Sequence, residues 1–172
     1  LIGMEAGKNA RPDGYLLVAG STTTKGNSDE VKAQIRRRQR EMATQQMMGK
    51  VKDADVVITN PEHFAVAISY DPSGDGAPLL VAKGEDQMAA RIREEARTHG
   101  VMLFEAPLLA RALYFTTKLD HPIPEALYHA VAQVIAYVFS LNQSYAPDGA
   151  LVKPNPRLPD NMRFDENGFL FQ

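Results

Sequence analysis

Two β-type runs, Ala54–Thr59 (ADVVIT) and Phe64–Tyr70 (FAVAISY), are separated only by Asn60-Pro61-Glu62-His63. Runs this rich in β-branched and aromatic residues favour extended backbone, and Asn and Pro are turn-forming residues. The pattern predicts neighbouring strands joined by a tight turn, and so commits the chain to a sheet-containing fold. It also places unusual chemistry between the strands. At most Asn-X bonds the next backbone nitrogen attacks the Asn side chain, which ends in deamidation. Proline has no N–H, so that route is closed at Asn60. The route left open is the reverse attack, in which the Asn60 side-chain nitrogen strikes its own backbone carbonyl and expels Pro61 as the leaving amine.

A dipeptide alone does not decide between scission and a structural hairpin turn. The chain holds an internal control, Asn155-Pro156 within KPNPRLP, where no strand-like runs flank the bond. Scission needs the side-chain nitrogen held near its own carbonyl carbon, which a strained, strand-anchored turn supplies and a loose segment does not. Asn155-Pro156 is therefore expected to stay intact. His63 is read in a supporting role, since an imidazole can shuttle protons near neutrality or shape a turn.

Further elements follow along the chain. Ser28 reads as the N-cap of a helix running to about Met48, with Asp29 and Glu30 in its first turn and Gly49 as its stop. Its larger apolar residues, Val31, Ile35, Met42, Met47 and Met48, are sparse, so it reads as a connector with a thin face to bury. Asp71-Pro-Ser-Gly-Asp-Gly is a polar loop. Leu79–Ala82 is a third strand and Val101–Phe104 a fourth, around a helix from Glu85 to His99 that Gly100 stops. Strand, helix and strand suit a crossover with parallel pairing. Pro107 opens a helix to about Thr117, and Pro124 precedes a last helix with a broad apolar face. The expected fold is α/β, a central four-stranded mixed sheet flanked by helices after a long N-terminal connector helix. Residues 1–27 read as a vector-derived or flexible segment, 28–53 as connector helix and linker, 54–143 as the folded domain, and 144–172 as a flexible tail.

Composition narrows the function classes. A net charge of −2 gives no global attraction to nucleic acid, and the absence of cysteine removes thiol nucleophiles, disulfides and thiolate metal sites. His99, His121 and His129 are scattered without ligand-like pairing, so neither metal nor cofactor is expected. Arg36, Arg37, Arg38 and Arg40 form a basic cluster without adjacent aromatics, which argues against single-strand nucleic-acid binding. A solvated helix face is its plain reading and an anionic membrane surface the functional alternative. Lys83-Gly84 lacks the rest of a phosphate loop. Ser69, Ser73 and Ser140 lack a nucleophile elbow.

The segments IRRRQREMA (Ile35–Ala43), ADVVITNPEHFAVAISYD (Ala54–Asp71), PLLVAKGEDQMAARIREEA (Pro78–Ala96), ARALY (Ala110–Tyr114) and IPEALYHAVAQVIAYVFSL (Ile123–Leu141), in that order, resemble the cytoplasmic domain of the FlhB/YscU family of type III export switch proteins, the flagellar branch in particular. The resemblance implies self-cleavage between Asn60 and Pro61, with Asn60 as nucleophile, Pro61 as leaving amine, and Glu62 and His63 shaping the turn. Such an event is single-turnover, so "enzyme" applies only loosely. It further implies that the fragments stay associated and that cleavage helps a flagellar export gate switch between substrate classes. The implied partners are export apparatus proteins and export substrates, and the implied location is the cytoplasmic face of the bacterial inner membrane, below a membrane-embedded portion. Glu62 departs from the Thr usual in the family motif, which changes the charge of the turn but neither nucleophile nor scissile bond. The alternatives are a non-cleaving docking module and the injectisome counterpart of the same family.

Overall fold

The computed structural model describes residues 25–71, 74, 76–142 and 152–171 of the 172-residue chain. The expectations for residues 1–24, for Ser73 and for 144–151 lie outside these. The described residues divide into two units at Ala43/Thr44.

Helix α1 spans Lys25–Val51. It begins before Ser28, which lies in its first turn rather than capping it, and it runs through Gly49. The reason for the later end is burial: Val51 is fully enclosed, and Met47 and Met48 are buried with it. In the first unit Val31, Ile35 and Met42 are exposed, as a helix with little apolar face requires. Arg36, Arg37, Arg38 and Arg40 are likewise exposed. Among the described residues no helix is long and apolar enough to cross a membrane.

The second unit is built on a sheet of five strands. These are β1 (Val56–Asn60), β2 (Phe64–Ser69), β3 (Leu79–Glu85), β4 (Leu103–Glu105) and β5 (His121–Pro122), in the order β4-β1-β2-β3-β5. The first four match the four strands expected; the fifth adds a two-residue edge, Leu79↔Pro122 and Leu80↔His121. A Pro beside an exposed His in a segment this short carries no strand signal, and edge positions are where a sheet tolerates Pro. β1 pairs antiparallel with β2, from Val56↔Ile68 to Asn60↔Phe64. β2 pairs antiparallel with β3, with a register shift between Ala67 and Ile68. The parallel pairing expected of the crossover is present, but β4 pairs with β1, not with the preceding strand β3. The connection between them is helix α2 (Gln87–Thr98). It closes with Val101 N–H donating to the Ala96 carbonyl at 2.8 Å and Gly100 N–H to that of Arg97 at 3.3 Å, with Gly100 at φ 72°. This left-handed stop is one that glycine adopts without steric cost.

Strand alternation divides the core between the two faces of the sheet. Val56, Ile58, Val66, Ile68, Leu80 and Phe104 pack with α3 (Pro107–Thr116) and α4 (Tyr128–Asn142), on residues such as Leu109, Leu113, Val131 and Val134. Val57, Ala65, Ala67 and Ala82 pack with Ala89, Ile92 and Ala96 of α2 and with the end of α1. Because both faces are covered, β1 is buried throughout.

Residues 152–171 differ from the flexible tail expected of them. Leu158 is buried in the same cluster as α3 and α4, and Met162 and Phe164 pack against it. Phe164 and Leu170 form an isolated antiparallel bridge, which makes a small hairpin of the chain end. The segment has no apolar periodicity because single residues anchor it, not the face of a helix or strand.

Candidate functional site

Asn60 is the last residue of β1, and its strand parity sets it opposite Phe64 on the face covered by α3. The turn between them is closed by His63 N–H donating to the Asn60 carbonyl at 2.8 Å. That is the hydrogen bond of a tight four-residue turn, and it falls on the carbonyl of the Asn60–Pro61 bond. Neighbouring strands pin both sides. Ala106 N–H donates to the Thr59 carbonyl at 2.9 Å, and Asp86 N–H to the His63 carbonyl at 2.9 Å. The Arg93 guanidinium on α2 donates to the Glu62 carbonyl at 3.5 Å. Pro61, Glu62 and His63 are exposed, whereas Asn60 is only 6% exposed.

Among the described residues, one buried side-chain polar atom has no hydrogen-bond partner: Nδ2 of Asn60. Leaving a buried donor unsatisfied costs about 1–3 kcal/mol, and such atoms in folded proteins call for an explanation. Here the unpaired nitrogen belongs to the group that the Asn-Pro chemistry needs free. The arrangement supplies a desolvated amide nitrogen, an adjoining carbonyl polarised by a backbone N–H, and a leaving nitrogen in an exposed turn. An N–H aimed at the oxygen where negative charge develops lowers the barrier to addition at that carbon.

The His63 ring lies beside two carboxylates. Its Nδ1 lies 3.5 Å from Oδ1 of Asp86 and its Nε2 lies 3.8 Å from Oε1 of Glu166. Asp86, in the connection from β3 to α2, has φ 51° and ψ −112°, a conformation that a non-glycine residue holds at a cost. The carboxylates therefore reach the turn from two segments distant from it in sequence. No local signal marks them, because both contacts depend on long-range packing.

Below the turn lies an aromatic cluster. Phe64 meets Tyr114 at 4.8 Å and Phe115 at 5.4 Å between ring centroids. The Tyr114 hydroxyl is held above its ordinary pKa, first by burial and then by the negative charges of Glu85 and Asp86. A raised folded-state pKa means that the neutral phenol contributes stability below the unfolded value of about 10, and that this contribution is lost as pH rises through the folded value. Tyr114→Phe is thus expected to give a shallower fall in unfolding free energy as pH rises above about 10, read by urea denaturation.

Lys83 does not serve a phosphate site. Its Nζ donates to the Tyr114 carbonyl at 2.9 Å and the Thr117 carbonyl at 2.8 Å, capping the end of α3, and burial pushes its pKa down. His99 and His121 bind nearby backbone carbonyls, Glu95 at 3.0 Å and Leu119 at 2.7 Å. Ser140 donates to the Ala136 carbonyl one helical turn back, at 2.9 Å. No group of three or more His, Asp or Glu that could hold a metal occurs among the described residues. Asn155 is exposed and lies in no strand.

Comparisons with known proteins agree on one family. The model of the FlhB HrpN YscU SpaS Family matches residues 23–138. The flagellar biosynthetic protein FlhB of Bacillus subtilis is 46% identical over 113 residues, covering 66% of this chain and 31% of that protein. The crystal structure of the cytoplasmic domain of FlhB from Shewanella putrefaciens is similar, with a TM-score of 0.66 and 43% identity over 73% of this chain and 98% of that one. An EscU C-terminal domain carrying an Asn-to-Asp mutation is more distant, with a TM-score of 0.52 and 27% identity over 54% of this chain and 98% of that one. The chain spans about a third of the length of the curated relatives it matches, between 31% and 34% for the first three.

Proposed function

The chain belongs to the FlhB HrpN YscU SpaS family, and from that premise we propose that it cuts its own backbone between Asn60 and Pro61 and thereby helps a flagellar export apparatus change the substrates it accepts. The observation that carries this reading is the buried, unpartnered Nδ2 of Asn60 beside a carbonyl held by His63 N–H at 2.8 Å. In the proposed step Nδ2 attacks the Asn60 carbonyl carbon, so that a new C–N bond closes a five-membered ring. The bond to the Pro61 nitrogen breaks. The proton lost from Nδ2 goes to the departing Pro61 amine, directly or through water. Water then opens the succinimide left at Asn60. No cofactor is needed, and each molecule reacts once.

The fragments are expected to stay together, because the pairing of β1 with β2 and with β4 does not depend on the bond that breaks. What changes is the exposed turn, which gains a charged Pro61 terminus and loses the restraint of a continuous backbone. We take this remodelled surface to be what export partners read, at the cytoplasmic face of the inner membrane. Glu62 adds a negative charge to that surface, whereas the reacting groups are those of its neighbours.

Mass spectrometry of denatured protein tests the reading. Two species, residues 1–60 and 61–172, are expected; a single full-length species makes the turn a docking hairpin and overturns the cleavage.

A further inference from the structure

The chain end is folded into a specific structure beside the turn. Its hairpin, residues 163–171, is set by the Asp165 carboxylate, which accepts from Asn167 N–H at 2.8 Å and Phe169 N–H at 3.0 Å. Phe171 N–H closes it on the Arg163 carbonyl at 2.9 Å. Two residues one turn apart on α3 receive it. Arg111 Nε donates to the Phe164 carbonyl at 2.6 Å and its guanidinium lies 5.9 Å from the Phe171 ring. Phe115 meets the Phe164 ring at 5.9 Å. Gly168, at φ 88°, lies so close to Phe115 that a Cβ there would stand 3.0 Å from the ring. Phe115 also touches Phe64, the residue that follows the turn. The tip of the hairpin carries Glu166 to His63.

We propose that this hairpin is a positioning element of the Asn60–His63 turn, with Glu166 holding His63 from the side opposite Asp86. Asp86 is fixed to the turn through both backbone and carboxylate, and Arg93 holds the Glu62 carbonyl. Glu166 completes the set from a segment about a hundred residues distant in sequence. The consequence for scission rests on the proposed cleavage, since a steadier His63 N–H keeps the Asn60 carbonyl polarised. The contact itself stands apart from whether the bond ever breaks.

The test uses the full chain with Asn60→Ala, so that the backbone is continuous whatever the cleavage chemistry, and reads amide hydrogen exchange by NMR. Gly168→Val, which drives a side chain into Phe115 and strains the backbone, is expected to speed exchange at His63, Phe169 and Phe171 by about three- to tenfold while Val57 and Ile58 hold their protection. Glu166→Gln is expected to speed His63 alone, by about two- to threefold as suits a solvent-exposed pair. Glu166→Asp, which keeps the charge, restores part of the protection. Exchange at His63 unchanged in both Gly168→Val and Glu166→Gln overturns the proposal. An unaltered chain that stays whole would instead sink the cleavage reading and leave this contact standing.

Discussion

Replacing Asn60 by Ala is expected to leave one full-length species under denaturing conditions where the unaltered chain gives residues 1–60 and 61–172. The effect is all-or-none because the Asn60 side chain supplies the nucleophile and no other group in the turn can form the five-membered ring. The substitution should cost the fold little. Nδ2 has no partner to lose, and removing an unsatisfied buried donor is neutral or stabilising by about 1 kcal/mol. Loss of scission without loss of stability, read by urea denaturation of the same sample, separates a chemical role from a structural one. Asn155→Ala serves as the control. Asn155 is exposed and in no strand, so the split should be unchanged.

Phe64→Ala should give the largest loss of stability of the substitutions considered. Phe64 is 2% exposed and contacts both Tyr114 and Phe115. Truncating a buried Phe to Ala removes transfer free energy and leaves a cavity, which together cost about 3–5 kcal/mol. Measured in the Asn60→Ala background, where scission does not interfere, the urea midpoint should fall with little change in slope. Phe64→Leu, which refills most of the space, should lose about 1 kcal/mol. Because Phe64 is the cross-strand partner of Asn60, the same truncation in the cleavable chain should slow scission as well. A Phe64→Ala chain as stable as the parent would mean that the ring cluster below the turn carries little of the packing assigned to it.

The strands on either side of Asn60-Pro61 were legible because their residue types and the turn residues between them agree. The antiparallel pairing of β1 with β2 follows from so short a connection. Helix ends were readable where geometry depends on one residue, as at Gly100 with its positive φ, and misleading where tertiary burial intervened. Val51 carries α1 past Gly49, which sequence alone marks as a stop. The partner of β4 was not legible. Both neighbours in a crossover are apolar, and only the packed sheet shows that β1 is the one beside it. β5 is too short to have a pattern. In the site, Asn60, Pro61, Glu62 and His63 are contiguous and so could be read directly. Asp86 and Glu166 could not, since nothing local distinguishes these acids from other exposed ones. Lys83 shows why a fragmentary motif is rightly set aside. Beside a glycine it resembles part of a phosphate loop, yet its ammonium closes the last turn of a helix. The proline-rich end illustrates a third limit. Low periodicity excludes regular elements, but Leu158 and Phe164 still reach the core singly.

Attack of Asn60 on its own carbonyl fixes the termini that mass spectrometry of freshly purified protein should find. Expected are a fragment beginning at Pro61 and a fragment ending at Asn60, the latter partly in a form lighter by one water molecule, the succinimide, which declines as the sample is held at mildly alkaline pH. A chain that remains whole, or one cut at a bond other than Asn60–Pro61, would contradict it.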